Sequence, residues 1–193
     1  VLIACEGDRV EPGYLLGLRQ ALGLAKERVV ILRGSHDTDP RNVLKAALAQ
    51  HRREDQSFDA IYCVVDHDNH AGLDQARESA AQHPMGRTGA LRIVVSVPCF
   101  EAWLLLHLLE YSSAPHQDSK SAKTRMEGQL PGYAQLGTDL YHRLSKGLDR
   151  AMASAKQLEQ HHGRTGSDRN PSSDMPAVIE ALFDLVKEQD VRQ

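Results

Sequence analysis

Ala60-Ile61-Tyr62-Cys63-Val64-Val65-Asp66-His67-Asp68-Asn69 joins an apolar run to two acids one residue apart. The run before Asp66, rich in β-branched and aromatic residues, reads as a buried strand of the parallel kind. A parallel strand ends in a loop on one rim of its sheet, where α/β proteins bind ligands. Asp66 and Asp68 then stand on that rim. Two oxygen donors so placed suit a hard cation such as Mg²⁺. They equally suit an acidic turn in which Asp68 or Asn69 caps the next helix. This segment alone leaves both readings open.

Working outward, Val1 to Cys5 (VLIAC), Val29 to Leu32 (VVIL) and Leu91 to Val97 (LRIVVSV) read as three further buried strands. Helical patterns separate them. Glu11-Pro12 opens the first helix, with the stripe Tyr14, Leu15, Leu18, Ala21 and Leu22, and Gly23 ends it. Asp39-Pro40 caps the second, whose apolar face is Val43, Leu44, Ala47 and Leu48. Ala71 to Ala81 is a third, small-residue helix, broken by His83 to Gly86. Pro98 to His107 starts a strongly apolar fourth. Strands alternating with helices predict a mainly parallel, four-stranded, Rossmann-like α/β sheet flanked by helices, with right-handed crossovers.

After Tyr111 the character changes. Residues 112–139 are polar and short of apolar periodicity, and read as a long loop with one short helix near Ser121 to Gln129. Leu140 to His161 reads as one helix, with Leu144, Leu148, Met152, Ala155 and Leu158 on one side. Asn170 to Asp174 reads most simply as a helix cap, or as a segment closing over the acidic rim. Ala177 to Lys187 is the last helix. The expected organisation is an α/β core over 1–111 and a loop-plus-helical portion over 112–193, packed together as one unit.

With 193 residues the chain can bury a core without disulfides. Cys5, Cys63 and Cys99 each sit in or beside an apolar run, which predicts buried free thiols and a reducing, cytoplasmic setting. No apolar run is long enough to span a bilayer, so no membrane partner is expected. The net charge of −3 argues against a wholly basic nucleic-acid binder. From Asp118 to Arg169, however, nine Lys/Arg stand against six Asp/Glu. A mildly basic segment beside an acidic site fits a metal-dependent enzyme on nucleic acid, and equally a solvated helix face.

In a parallel sheet Glu6, Asp66 and Asp68 share one rim, and the first and third strands are often neighbours. Glu101 follows the fourth strand on that rim. Carboxylates so clustered repel one another unless cations join them. One or two Mg²⁺ there would polarise a phosphodiester and activate a water. Asp66 and Asp68 are the expected metal holders, Glu101 an added ligand, and Glu6 a proton-handling group or further ligand. Alternatively, Glu6 is a solvated loop acid and Glu101 a helix N-terminal charge. Lys120, Lys123, Arg125, Arg143 and Lys146 are candidates for phosphate contact.

A strand ending in Glu6-Gly7, followed by one ending in Asp66-His67-Asp68, resembles the Toprim arrangement of topoisomerases, primases and nucleases. More specifically, four stretches resemble the RloB-like family, which is associated with abortive phage resistance. They are Ala4-Cys5-Glu6-Gly7-Asp8-Arg9-Val10-Glu11-Pro12-Gly13-Tyr14, Val65 to Asp68, Ser96 to His107, and Asn170 to Asp174. The block Pro98-Cys99-Phe100-Glu101-Ala102-Trp103-Leu104-Leu105-Leu106-His107 is the most specific. The resemblance implies a Toprim-like sheet with a C-terminal helical portion. It implies Glu6, Asp66 and Asp68 as the catalytic, metal-binding acids with Mg²⁺ or Mn²⁺, and a defence setting with an ATPase subunit as partner. Val10 stands where the family usually has threonine, and Gln135 where a lysine is expected.

Together these readings predict a metal-dependent nuclease in anti-phage defence. The alternative is a regulatory subunit that binds a nucleotide or nucleic acid without cutting it. No Walker-type loop is present, and the histidines match no zinc-site spacing. His107, on an apolar helix, reads as a satisfied core histidine, and Trp103 as core.

Overall fold

In the computed structural model, which describes residues 1–34, 39–53, 58–67, 72–116, 118–165 and 169–191, the run before Asp66 is a strand, Ile61–Asp66. Numbered along the chain, the strands are β1 (Leu2–Cys5), β2 (Val30–Leu32), β3 (Ile61–Asp66), β4 (Leu91–Val97) and β5 (Ser172–Ser173). Their order in the sheet is β2-β1-β3-β4-β5. The first four are parallel, and β1 lies beside β3 with Cys5 opposite Val64. The ends of β1 and β3 therefore come out side by side on one rim.

The two faces of the sheet follow from the period-2 alternation of side chains. Ile3, Cys5, Tyr62, Val64 and Val94 point to one side. There they meet α1 (Val10–Ala21), α5 (Phe100–Leu108), α8 (Leu148–Thr165) and α9 (Met175–Val191). Leu2, Ala4, Ile61, Cys63, Val65 and Leu91 point to the other side, against α2 (Pro40–Arg52) and α3 (Gly72–Gln82), which the single turn α4 (Pro84–Arg87) follows. Helix α5 is apolar on every side and is buried on every side, as such a helix must be. Its Trp103 is fully buried, edge-on to Tyr14. The three cysteines are free and buried, as expected. None of the described helices is long and apolar enough to cross a membrane.

The expected four-stranded sheet gains a fifth, antiparallel strand. Asn170 to Asp174 leads into α9 as a cap, with Ser173 Oγ accepting from Met175 N at 3.3 Å, and does not line the acidic cleft; in addition its Ser172 and Ser173 pair with Val97 and Ser96. Polar side chains hold it there. Ser96 Oγ and Ser173 Oγ are 2.8 Å apart, and Val95 N donates to Asp174 Oδ2 at 3.2 Å. Two serines carry no β-branched signal, so the strand is invisible to periodicity.

Leu140 to His161 is three pieces rather than one helix: α7 (Asp139–Leu144), a 3-10 turn (Ser145–Gly147) and α8. The break has a steric cause. A Cβ on Gly147 would lie 2.0 Å from the His107 carbonyl oxygen, where the last turn of α5 presses in. Within 112–139 lies α6 (Ser119–Gln129), which starts earlier than its apolar residues suggest. Asp118 caps it by accepting from Ser121 N at 2.7 Å. A second 3-10 turn follows at Tyr133–Gln135.

Candidate functional site

The acids of the rim are tied together through the backbone. Glu6 N donates to Val64 O at 2.9 Å, which carries the β1–β3 ladder one residue past β1. Glu6 Oε2 then accepts from Asp66 N at 2.8 Å. Asp66 Oδ1 in turn accepts from Phe100 N, the first amide of α5, at 2.8 Å. Thus Glu6 fixes the end of β3, and Asp66 fixes the start of α5. Glu101, one residue further, is buried and accepts from the Tyr133 hydroxyl at 2.7 Å. Each of these bonds engages one carboxylate oxygen and orients the group, as preorganised sites require.

A fourth acid enters from α1. Glu11 is buried, and its Oε1 accepts from Gly7 N at 3.1 Å. A Cβ at position 7 would lie 2.3 Å from Glu11 Oε2, so any side chain there would push the Glu11 carboxylate out of its present place. Gly7 thus allows the close approach of Glu11 to the end of β1. These acids line a cleft of about 310 Å³, with Arg9 and Lys123 as its cations.

The electrostatics show a site short of positive charge. Asp66 is held well above the ordinary carboxylate range, first by burial and then by the charges of Glu11, Glu6 and Glu101. Burial also raises Glu11, with Glu101 adding to it. Lys123 opposes both shifts. Cys99 lies at the foot of the cluster, its thiol pushed up by burial and by Glu101. Donor atoms of Asp66, Cys99 and Glu101 lie within 4.8 Å of one another. Two oxygens on opposite sides of one Mg²⁺ are separated by about 4 Å, so a small adjustment brings the two carboxylates to a single ion. The carboxylates of Asp66 and Glu101 are the donors that fit Mg²⁺ or Mn²⁺, while burial and Glu101 keep Cys99 as a neutral thiol, which is not a ligand for either ion.

A family model of RloB-like proteins matches residues 1–182. The chain belongs to the RloB-like protein family. No curated protein matches it, and no solved structure does.

Of the acids the sequence singles out in this RloB-like chain, Glu6, Asp66 and Glu101 come together, while Asp68 lies outside the described residues. Of the five basic candidates, Lys123 lines the cleft. Arg125 lies instead with His116 in a separate small pocket. Lys120, Arg143 and Lys146 are exposed and do not line the cleft. His107 is the satisfied core histidine expected: it is buried, donating from Nδ1 to Leu144 O at 3.0 Å and accepting the Tyr14 hydroxyl at Nε2 at 3.1 Å.

Sequence reasoning assigns no site role to Glu11, Cys99 or Tyr133. Glu11 reads as an ordinary first-turn acid, which the helix dipole favours. A signal was present in Gly7, which lets the chain fold back from the end of β1 into α1. Tyr133 sits in the polar stretch after Tyr111, where no periodicity points to a contact with Glu101.

Proposed function

We propose that this RloB-like chain is a Toprim-type, Mg²⁺- or Mn²⁺-dependent phosphodiester hydrolase acting on nucleic acid in anti-phage defence. The observation that carries the reading is the convergence of Glu6, Glu11, Asp66 and Glu101 on one rim, with Asp66 and Glu11 both raised. Such a cluster is costly for the fold alone and is stabilised by a divalent cation. A bound cation would supply Lewis-acid polarisation of the phosphate and a lowered pKa for an attacking water. Asp66 and Glu101 would hold it, with Asp68 added by the family resemblance. Glu6 holds the end of β3 through the Asp66 amide and so sets the position of Asp66. Glu11, raised by burial, is the better candidate for moving a proton, a role the sequence alone assigns to Glu6. Lys123 and Arg9 line the same cleft as the acids, which supports a phosphate contact there. The defence setting and an ATPase partner rest on the resemblance alone.

The test is cleavage of single- and double-stranded DNA and RNA with Mg²⁺ or Mn²⁺, comparing wild type with Asp66→Asn and Glu11→Gln. The expected result is metal-dependent cleavage by wild type, lost in Asp66→Asn and strongly slowed in Glu11→Gln, with melting curves showing both variants folded. Cleavage at the wild-type rate in Asp66→Asn would overturn the assignment. Binding of nucleic acid with no cleavage by wild type would favour the non-cleaving regulatory subunit.

A further inference from the structure

Away from the acidic rim, β4 has an open edge. Its residues alternate in the direction of their backbone groups. Ala90 O and Ser96 O accept from Ile61 N and His67 N, so the even-numbered residues of β4 face β3. Leu91, Ile93 and Val95 therefore turn their N–H and C=O groups the other way. Val95 is satisfied: its N–H donates to Asp174 Oδ2 and its carbonyl accepts from Asp174 N. Strand β5 pairs only with Ser96 and Val97 and then leaves for α9. The outward groups of Leu91 and Ile93 have no protein hydrogen-bond partner among the described residues.

This edge is recessed. Residues 91–94 line a cleft of about 750 Å³ between the two helix layers. On the side of Leu91 and Ile93 the wall is small and apolar, made by Ala80 and Ala81 of α3 and by Gly86, with Arg77 also lining it. On the side of Arg92 and Val94 the wall comes from α8 and α9. It carries Lys156 beside Glu159 and Glu180, charges of both signs. Exposed strand edges are ordinarily blunted or covered; here four residues, about 13 Å of strand, are left open at the floor of a slot.

We propose that this slot receives an extended segment of another protein, which adds to the sheet as a strand beside Leu91–Val94, in line with β5. The chemistry of the floor selects the occupant. N–H and C=O groups repeating at every second residue are matched by another extended backbone, the pattern of strand addition. The recess blocks edge-to-edge pairing with a second copy of this chain, because the copy's own β4 edge is equally sunk between helices and cannot reach the floor. The walls set the side chains. Residues facing Ala80, Ala81 and Gly86 are apolar, and those alternating with them are polar, meeting the mixed charges of α8 and α9.

The experiment has two stages on the whole chain. Amide hydrogen exchange by NMR first reads β4: Arg92, Val94 and Ser96 exchange slowly, while Leu91 and Ile93 exchange fast. A random dodecapeptide phage library is then panned on the immobilised chain, and enriched peptides are synthesised. The expected result is peptides with apolar residues at alternate positions that slow exchange at Leu91 and Ile93. Their affinity falls by about tenfold or more in Ala153→Trp, which fills the slot from an exposed position of α8, and in Ile93→Pro, which removes an outward N–H. Slow exchange at Leu91 and Ile93 in the chain alone would overturn the proposal. So would panning that enriches nothing, or peptides that bind Ala153→Trp as tightly as wild type. Concentration-dependent self-association that protects these two amides would replace the foreign segment with a second copy and likewise overturn it.

Discussion

Replacing Asp66 by Asn should stabilise the protein in the absence of divalent cations and destroy its response to them. Asp66 is raised by burial and by three neighbouring acids. Its folded state therefore holds a proton more tightly than the unfolded chain, whose aspartates titrate near about 3.9. Stability from that preference is complete below about pH 3.9 and is lost as pH rises through the folded value. At a pH above that folded value, which the melts at pH 8 are chosen to reach, the wild type carries an ionised Asp66 among like charges. Donor atoms of Asp66 and Glu101 lie within 4.8 Å. At an effective dielectric between about 20 and about 80, one such contact costs about 1–3 kcal/mol. Lys123 offsets part of this, which favours the lower end. Asn keeps a carbonyl oxygen for Phe100 N, so the tie to α5 survives.

The expected gain is about 1 kcal/mol at pH 8, or about 3 °C in Tm for a chain of this size. The gain should vanish near about pH 4, where the wild-type carboxyl is protonated. Adding Mn²⁺ at about 100 times its Kd should stabilise wild type by about 2.7 kcal/mol and leave Asp66→Asn unmoved, reversing the order of the two proteins. Thermal melts at both pH values, with EDTA or with Mn²⁺, read all of this. A wild-type Tm indifferent to Mg²⁺ and Mn²⁺, or an Asn variant less stable than wild type at pH 8 in EDTA, would refute the reasoning.

Three further outcomes follow from the packing. Burial holds His107 down to about 4 from its ordinary 6.5; a histidine so depressed contributes stability that is full above about pH 6.5 and is lost as pH falls towards the folded value. In His107→Gln, urea titrations should therefore show a loss of stability between about pH 7 and about pH 4 that is smaller than in wild type by about 3 kcal/mol; equal losses would contradict it. Tyr133→Phe leaves one oxygen of the buried Glu101 without its donor and should cost about 1–3 kcal/mol in denaturant melts, with Mn²⁺ affinity by calorimetry falling as Glu101 loses its orientation. Gly147→Ala drives a methyl into the His107 carbonyl and should cost about 1–3 kcal/mol or prevent folding; a wild-type Tm would show that α5 and the 3-10 turn are less tightly apposed than described.

The parallel sheet was legible because each of its strands is a short, largely apolar run bounded by turn chemistry, and β2, β3 and β4 are rich in β-branched residues. From that alone it followed that Glu6 and Asp66 share a rim, and the pairing of β1 with β3 brings them into contact. What escaped reading is polar. Ser172–Ser173 is a strand by virtue of Ser96, Val95 and Asp174, a tertiary circumstance with no local pattern. Glu11 looks like a helix-start acid because it is one; its second role depends on the turn at Gly7. The break at Gly147 comes from a carbonyl forty residues earlier in the chain, and a helical stripe runs across it unperturbed.

Helix α5 explains why the acidic rim and the C-terminal helices belong to one structure. At its start, the amide of Phe100 binds Asp66, and Glu101 receives Tyr133 from the segment beyond Tyr111. Near its end, His107 joins Tyr14 of α1 to Leu144 at the end of α7, and its carbonyl shapes the turn at Gly147. From Glu101 to His107 the helix rises about 9 Å, through side chains that are all buried. Nothing along that path is soft. An apolar helix clamped at both ends passes a displacement at the His107 end to the position of Glu101 more readily than a solvated one would, because close-packed interiors transmit strain. The most specific block of the sequence, Pro98 to His107, is therefore the part that holds the acids at one end and the C-terminal layer at the other.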